Sequence, residues 1–207
     1  MEIHPVTPDR WDDLVDLFTR RGPRGGGGAG ENCWCMWWRQ RGRSREANRR
    51  GMRTVVKEGR EPGLLAYEDG VPVGWVSLSP RADLGHLQRS KHYGPREEAD
   101  DRTWSIVCFI VHPTARHRGV AKALLQAAVE HAVSRGVSAI EAYPHERRAD
   151  YMGSAEMFKA AGFEPVRSAG VRTIVRYVPR HSGQSTSRPA ARSATQSRRR
   201  TPPTRSE

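Results

Sequence analysis

One strand–loop–helix stretch in the middle of the sequence constrains the fold of this chain more than any other feature. It begins with a continuous apolar run, Trp104–Val111, which predicts a buried strand, and Pro113 stops that strand. After a basic loop, apolar residues recur at helical spacing and predict a helix from about Gly119 to Ser134. The stretch therefore indicates an α/β fold in which a basic loop joins a buried strand to a long helix.

The loop of this stretch reads Val111-His-Pro-Thr-Ala-Arg-His-Arg-Gly-Val-Ala-Lys122 and predicts a site for phosphate groups. The first backbone N–H groups of a helix have no partner within the helix, and the helix dipole is positive there. Gly119 and Ala121 would let a pyrophosphate approach the backbone closely, and Arg116 and Arg118 would add charge-assisted hydrogen bonds. The sequence has no Gly-x-x-x-x-Gly-Lys-Ser/Thr, and no Gly-x-Gly-x-x-Gly opens a helix after a strand, so the common nucleotide motifs are excluded.

The remaining segments predict a mixed sheet flanked by helices. An Asp69-Gly70 pair between two apolar runs has the form of a tight hairpin turn, so those runs are expected to pair as antiparallel strands. The polar stretch of residues 80–101 is long for a connection and predicts a functional loop. The predicted strands are Glu2–Val6, Leu64–Tyr67, Val73–Leu78, Trp104–Val111, Ala139–Tyr143, Phe163–Val166 and Thr173–Val178, and the predicted helices start at Thr7 or Asp9, at Ser44, at Gly119 and at Ser154.

The chain divides into one domain and a tail. Residues 1–180 are long enough to bury a core of their own. Within them, the glycine-rich residues 20–30 predict a flexible loop. Residues 181–207 consist of Arg, Ser, Pro and other small or polar residues without one large apolar side chain, which predicts a disordered basic tail.

The formal net charge of +12 does not by itself identify a partner. Residues 181–207 contain six arginines and one acid, so the tail contributes +5 and the rest of the chain +7. Such charge attracts the phosphates of a small nucleotide as well as those of a nucleic acid. The tail has no aromatic residue on which bases could stack, so we do not expect nucleic-acid binding.

Cys33, Cys35 and Cys108 are too few for a disulfide framework and indicate a reducing compartment, so we expect a cytoplasmic protein. A single Cys-x-Cys without a second pair has the wrong spacing for the common zinc sites, and no metal is expected. No apolar stretch approaches the roughly 18 residues of a membrane span, and the N-terminus lacks the apolar core of a signal peptide. We therefore expect no membrane partner.

The segment Arg116-His-Arg-Gly119-Val-Ala121 resembles the acyl-CoA signature of the GNAT superfamily of N-acetyltransferases, which is Arg or Gln, two residues, Gly, one residue, then Gly or Ala. The order of predicted elements over roughly residues 1–178, and the ending Phe158-Lys-Ala-Ala-Gly-Phe163, are also similar to the superfamily core. The resemblance implies an α/β fold whose mixed, mostly antiparallel sheet is flanked by helices. It also implies a cofactor position in the splay between two central parallel strands, Trp104–Val111 and Ala139–Tyr143.

The same resemblance implies acetyl-CoA as the cosubstrate and suggests which residues hold it. The backbone of Phe109, Ile110 and Val111 would pair with the pantetheine arm, and one of their N–H groups would polarise the thioester carbonyl. The pyrophosphate would lie on the loop and the first helical turn, which comprise Arg116, His117, Arg118, Gly119, Val120, Ala121 and Lys122.

The family chemistry implies direct attack of a neutral amine on the thioester, after which a tyrosine usually protonates the departing CoA thiolate. That tyrosine corresponds here to Phe158, which has no proton to give. The available phenols are Tyr151, at the start of the same helix, and Tyr143, at the end of the preceding strand, and Glu141 could relay the amine proton. These three residues are the catalytic candidates.

The run Cys33-Trp-Cys-Met-Trp-Trp-Arg39 lies where members of the family commonly shape the acceptor pocket. Trp34, Trp37 and Trp38 are therefore candidates for a substrate-binding wall. Packing of the first helices on the sheet explains them equally well, because large aromatic side chains bury area wherever they find room.

The resulting hypothesis is an acetyl-CoA-dependent N-acetyltransferase that acts on a small-molecule amine. Two alternatives stay open: a domain that senses acyl-CoA without catalysis, and an enzyme that acetylates a protein or a ribosomal partner with the help of its basic tail. The strand ending at Val178 would pair with a second subunit if it lies at a sheet edge, so a homodimer is a further expectation.

Overall fold

A seven-stranded sheet forms the centre of the structure, a computed structural model that describes residues 1–25, 28, 30–42, 44–96 and 102–180. The predicted tail, residues 181–207, and positions 26, 27 and 29 of the glycine-rich loop lie outside the described residues. The strands are β1 (Glu2–Pro5), β2 (Gly63–Glu68), β3 (Val71–Pro80), β4 (Thr103–Val111), β5 (Ala139–Ala142), β6 (Glu164–Ala169) and β7 (Arg172–Tyr177). The helices are α1 (Trp11–Thr19), α2 (Trp37–Gln40), α3 (Arg45–Lys57), α4 (Gly85–Gln88), α5 (Val120–Ser134) and α6 (Ala155–Ala160).

The strands and the long helices lie where the sequence predicts them, and local chemistry explains several of their ends. Asp69 and Gly70 have φ angles of +51° and +75°, as the tight β2–β3 hairpin requires. The hydroxyl oxygen of Ser44 accepts a hydrogen bond from the Ala47 N–H and caps α3. The Ser154 hydroxyl accepts one from the Met157 N–H and caps α6. These local signals act within a few residues, and for that reason the sequence alone predicted them.

The start of α1 and two short helices differ from the sequence predictions. Neither Thr7 nor Asp9 caps α1, because Pro8–Arg10 first form a single 3-10 turn and the helix begins at Trp11 without a side-chain cap. Helices α2 and α4 lie in segments for which we predicted no helix. Each has only four residues, which is too short for a helical repeat to appear in the sequence.

The strand order is β1-β2-β3-β4-β5-β7-β6. Only β4 and β5 are parallel neighbours among the described strands, and the other neighbours are antiparallel. The sheet is therefore mixed and mostly antiparallel, as predicted. The last strand does not lie at an edge, which was the condition for its expected pairing with a second subunit: the β6–β7 hairpin places β7 against β5, and β6 forms the edge instead.

The two parallel strands separate partway along their length. Strand β4 pairs with β5 only from Thr103 to Ile106. The next residue, Val107, has no partner in β3, where the register shifts between Ser77 and Leu78. A bulge of this kind bends its strand and increases the local twist. It lies where the pairing with β5 ends, so the second half of β4 borders an open gap.

Helices cover both faces of the sheet and fix the position of the basic loop. Helix α5 packs on one face over β3 and β4, whereas α1 and α3 cover the other face. A side chain at Gly74 of β3 would place its Cβ only 2.6 Å from the nearest methyl of Val120 and 3.0 Å from Leu124. The glycine thus lets the first turn of α5 approach the sheet. Within the part of the chain that the structure describes, no helix is long and apolar enough to cross a membrane.

Candidate active site

The basic loop ends in a glycine that the backbone requires. Gly119 precedes α5 with a φ of +82°, a left-handed conformation, and a Cβ added there would meet nothing within 4 Å. Arg116 donates from Nε to the Val111 carbonyl at 3.2 Å, and Arg118 pairs with Glu68 at 3.0 Å. The open space above Gly119 leaves the first N–H groups of α5 accessible to an anion.

The gap beside β4 exposes alternate backbone groups. The Phe109 N–H points into the gap and donates to the Tyr151 carbonyl at 2.5 Å. Successive N–H groups of a strand point to opposite sides, so Val111 also faces the gap, and Ile110 faces β3. The His112 N–H donates to a β3 carbonyl at 2.9 Å, which agrees with this alternation. Of the three predicted backbone partners, Phe109 and Val111 are therefore the ones directed toward the gap.

A cavity of about 1170 Å³ connects the loop, the gap and the tryptophan-rich segment. It brings together residues from three distant parts of the chain, around positions 33–38, 107–122 and 149–157. Every predicted cofactor residue except Arg118 lines it. The remaining lining residues include Cys33, Cys35, Trp37, Trp38, Val107, Cys108, Ala149, Asp150, Tyr151 and Met157.

Tyr151 is the one catalytic candidate whose side chain lines this cavity, and it is half exposed. Burial of the rest of the ring raises the pKa of Tyr151, although the guanidinium of Arg172, 5.6 Å from the ring centroid, opposes this shift. The phenol therefore keeps its proton at neutral pH. A protonated phenol beside the gap could act as a general acid.

An ion pair holds the segment that carries Tyr151. Asp150 accepts two hydrogen bonds from Arg172, at 2.5 and 3.3 Å, and another from the Met152 N–H at 2.8 Å. Burial would raise the pKa of Asp150, but these hydrogen bonds outweigh it and lower the pKa. Arg172 also donates to the Tyr143 carbonyl at 3.0 Å. No local sequence pattern predicts this pair, because Asp150 and Arg172 are brought together only by the β6–β7 hairpin.

Tyr143 and Glu141 belong to a buried polar network outside this cavity. The Tyr143 hydroxyl lies 3.0 Å from the Ser105 hydroxyl and donates to Glu141 at 3.2 Å. Burial, followed by the charge of Glu141, raises the pKa of Tyr143. Glu141 itself accepts hydrogen bonds from Arg81 at 2.8 Å and from Arg176 at 2.7 Å. The three catalytic candidates are thus divided between the large cavity and this network.

The three tryptophans have different surroundings. Trp34 is fully buried, stacks on Trp11 at 5.8 Å and contacts Phe18, so it is part of the hydrophobic core. Trp37 and Trp38 line the cavity, and Trp37 is 45% exposed. Trp38 is only 8% exposed and belongs to a buried cluster with Leu84 and Leu87, so it both packs and lines the cavity, whereas Trp34 only packs.

The cysteines of the Cys-x-Cys segment form a chain of thiols with Cys108 along the cavity wall. The pKa of Cys33 is raised by its hydrogen bond with Cys35 and by burial, and the pKa of Cys35 is raised first by its hydrogen bond with Cys108. The indole N–H of Trp75 also donates to the Cys35 sulfur at 3.2 Å. Within the described ranges, no group of three His, Cys, Asp or Glu side chains is arranged to hold a metal ion.

Phe158, at the position of the usual family tyrosine, is completely buried. Its ring packs edge to face against Phe109 at 6.1 Å and against Phe163 at 5.1 Å. The side chain therefore fills the core beneath β4, and Tyr151, seven positions earlier, is the phenol at the cavity.

Solved structures of acetyltransferases share this fold at low sequence identity. The GNAT domain of S. lividans PAT is 17% identical with a TM-score of 0.55, over 86% of this chain and 89% of that chain. A ribosomal-protein-alanine N-acetyltransferase from Brucella melitensis is 15% identical with a TM-score of 0.51, over 86% and 100%. An aminoglycoside 6′-acetyltransferase type Ii is 15% identical with a TM-score of 0.50, over 87% and 100%.

The sequence comparisons give the family. No curated protein sequence matches the chain. The profile of the Acetyltransferase (GNAT) family matches residues 12–163, which confirms the resemblance carried by the loop and the order of elements. Since this match covers well over half of the sequence, the chain belongs to the GNAT acetyltransferase family, whose members use acetyl-CoA as cosubstrate.

Proposed function

We propose that this protein is an acetyl-CoA-dependent N-acetyltransferase whose acceptor is the amine of a small molecule. The observation that carries the proposal is the single cavity of about 1170 Å³ that runs from the Gly119 loop, along the gap beside β4, to Trp37 and Trp38. One end offers helix N–H groups and cationic side chains to a pyrophosphate, and the other offers an aromatic wall. A donor and an acceptor can therefore meet at the gap.

The residues around the gap fit the predicted hold on acetyl-CoA. Arg116, His117 and Lys122 line the cavity beside Gly119, where positive charge favours phosphate groups. The inward-directed backbone of Phe109 and Val111 would pair with the pantetheine amides. Since the Phe109 N–H already donates to the Tyr151 carbonyl, we expect the Tyr151 segment to shift when acetyl-CoA binds.

Tyr151 is the proposed general acid. The amine nitrogen attacks the thioester carbon, the C–S bond breaks, and the phenol of Tyr151 gives its proton to the departing thiolate. The proton that the amine loses goes to water. Glu141 and Tyr143 would then have a positioning role, because both carboxylate oxygens of Glu141 are already occupied by arginines.

The acceptor class follows from the wall at the far end of the cavity. Trp37 and Trp38 present apolar aromatic surface, and Cys33 and Cys108 contribute protein thiols rather than charge. A small amine with an apolar or aromatic body fits such a wall better than a polycation does. The similar structures include one named for a ribosomal protein and one named for aminoglycosides, so the fold itself does not select the acceptor.

The decisive experiment is a thiol-release assay with acetyl-CoA and a panel of amines: arylalkylamines, amino acids, polyamines and peptides with free N-termini. Turnover with an arylalkylamine, and a kcat that falls about 10²-fold in Tyr151→Phe while the Kd of CoA changes less than twofold, would support the proposal. The matched control is Tyr177→Phe, since Tyr177 packs on Phe163 outside the cavity.

Other outcomes identify the alternatives. Tight acetyl-CoA binding would indicate an acyl-CoA sensor if no amine of the panel caused release of the CoA thiol. Turnover with peptides alone, lost when residues 181–207 are deleted, would indicate a protein-directed enzyme that uses its basic tail. An unchanged kcat in Tyr151→Phe would remove Tyr151 as the acid.

A further inference from the structure

A second cavity, of about 500 Å³, lies at the opposite end of the parallel strands from the Gly119 loop. Thr103 and Ala139, the first residues of β4 and β5, form part of its wall. Strands β6 and β7 and the segment that ends at Arg96 complete it. The proposed acetyl transfer makes no use of this space.

Its charged lining consists of four arginines and one glutamate, so positive charges exceed negative ones by three. Glu141 neutralises part of this charge through Arg81 and Arg176. Arg167 donates to the carbonyls of His92 and Gly94, at 2.8 and 2.7 Å, which fixes the guanidinium without neutralising it. Arg96 is exposed and pairs with no acid among the described residues, so the described lining of the cavity carries more positive than negative charge.

Two buried polar groups of the lining also lack partners within the described part of the chain: Nε of Arg81 and the hydroxyl of Ser138. The Arg81 side chain is only 7% exposed. A buried donor without a partner is costly, and native proteins usually satisfy such groups with protein, water or ligand. Each of these two atoms has less than 1 Å² of exposed surface, but both residues line this cavity, and either group could donate to an oxygen acceptor that comes within hydrogen-bond distance.

We propose that this second cavity binds a small anion through a carboxylate or phosphate group. Guanidinium groups recognise the oxygens of both, and the volume lies within the range of small-molecule sites. The ring of Tyr93 lines the cavity and packs edge to face on Trp38 at 5.5 Å. Because Trp38 lines the large cavity, an anion bound here would contact the residue that supports the proposed acceptor wall.

The test is a melting-temperature titration with inorganic phosphate and with succinate, using chloride at equal ionic strength as the reference. A ligand that binds only the folded state raises the melting temperature with concentration, so the two probes also distinguish phosphate from carboxylate recognition. We expect Arg96→Gln and Ser138→Ala each to weaken the better probe about tenfold. Arg50→Gln is the matched control, since Arg50 carries the same charge on the exposed surface of α3.

The variants give outcomes that would overturn the proposal. An equal rise in melting temperature with chloride would show a nonspecific charge effect. Equal losses of anion affinity in Arg50→Gln and Arg96→Gln would show the same. If anion affinity falls in Arg116→Gln but not in Arg96→Gln, the anion binds at the Gly119 loop and not in the second cavity. Unchanged affinity for both probes in Arg96→Gln and in Ser138→Ala would refute the proposal.

A last variant addresses the sequence next to Arg96. Positions 97, 98, 100 and 101 are acidic and lie outside the described residues. Changing these four acids to amides should leave the affinity for the better probe within about threefold. Binding that appears only in this variant would mean that the chain's own acids neutralise the cavity, and the proposal would fail.

Discussion

Replacement of Gly119 by aspartate should weaken CoA binding without unfolding the protein. The glycine has a φ of +82°, and an added Cβ meets nothing within 4 Å. The substitution therefore destabilises the folded state only through the left-handed backbone conformation, by about 1 kcal/mol. A carboxylate at a helix N-terminus recovers about 0.3 to 1 kcal/mol of this. Stability should therefore change by less than about 1 kcal/mol.

The effect on CoA binding should be larger, because the new charge lies where the pyrophosphate is expected. At about 5 Å and an effective dielectric constant of about 20 to 80, two unit charges repel by about 1 to 3 kcal/mol. This corresponds to a Kd that rises about 5- to 150-fold. Isothermal titration with CoA measures the change directly.

Two controls separate the causes. Gly119→Asn has the same shape and backbone demand without the charge, so its Kd should rise only a few-fold. Gly136→Asp places the same residue at another left-handed glycine with open space, beyond the far end of α5, and its Kd should stay within twofold of the unsubstituted protein. An unchanged Kd in Gly119→Asp, or equal losses in all three variants, would refute the assignment of the pyrophosphate to this loop.

Four further substitutions test other parts of the structure. Trp37→Ala should raise the acceptor KM about tenfold with little loss of stability, whereas Trp34→Ala should lower the free energy of unfolding by about 3 to 5 kcal/mol, as kinetics and urea denaturation can show. Asp150→Asn should lower the free energy of unfolding by about 1 to 3 kcal/mol at pH 7, because it removes the charged partner of Arg172. Phe158→Ala should cost about 3 to 5 kcal/mol in the same denaturation assay, because it empties a fully buried site.

The pH dependence of the Asp150 variant has a defined sign. The pKa of this carboxyl is lowered in the folded state from its ordinary value of 3.8, so its contribution is complete above that value and is lost as the pH falls through the lower folded pKa. The difference in stability between Asp150→Asn and the unsubstituted protein should therefore shrink below about pH 4. A difference that is constant from pH 7 to pH 3 would contradict the lowered pKa.

For the tryptophans, equal effects of both variants on stability and KM would contradict their separate roles.

The family and the cofactor loop could be predicted because their signals are local. A strand, Pro113, a basic loop with Gly119 and a helical repeat lie within about thirty consecutive residues, and backbone chemistry restricts what such an order can form. The hairpin at Asp69 and the cap at Ser44 were predictable for the same reason. Each depends on neighbours within a few positions.

The catalytic candidates could not be separated in this way. Tyr151, Tyr143 and Glu141 lie within eleven positions of each other in the sequence, but the structure places one at the large cavity and two in a buried network. The difference arises because the Asp150–Arg172 ion pair holds the segment after β5 in the gap beside β4. That contact joins residues separated by a helix and a strand, and no local pattern contains it.

The sequence by itself determined the order of elements, the anion loop and the family. Only the tertiary structure decided where β4 and β5 separate, because the bulge at Val107 depends on the register of β4 against β3. Likewise, only folding gathered Arg81, Arg96, Arg167 and Arg176 around one cavity. Local sequence governs backbone conformation over a few residues, whereas cavities and ion pairs depend on which distant segments pack together.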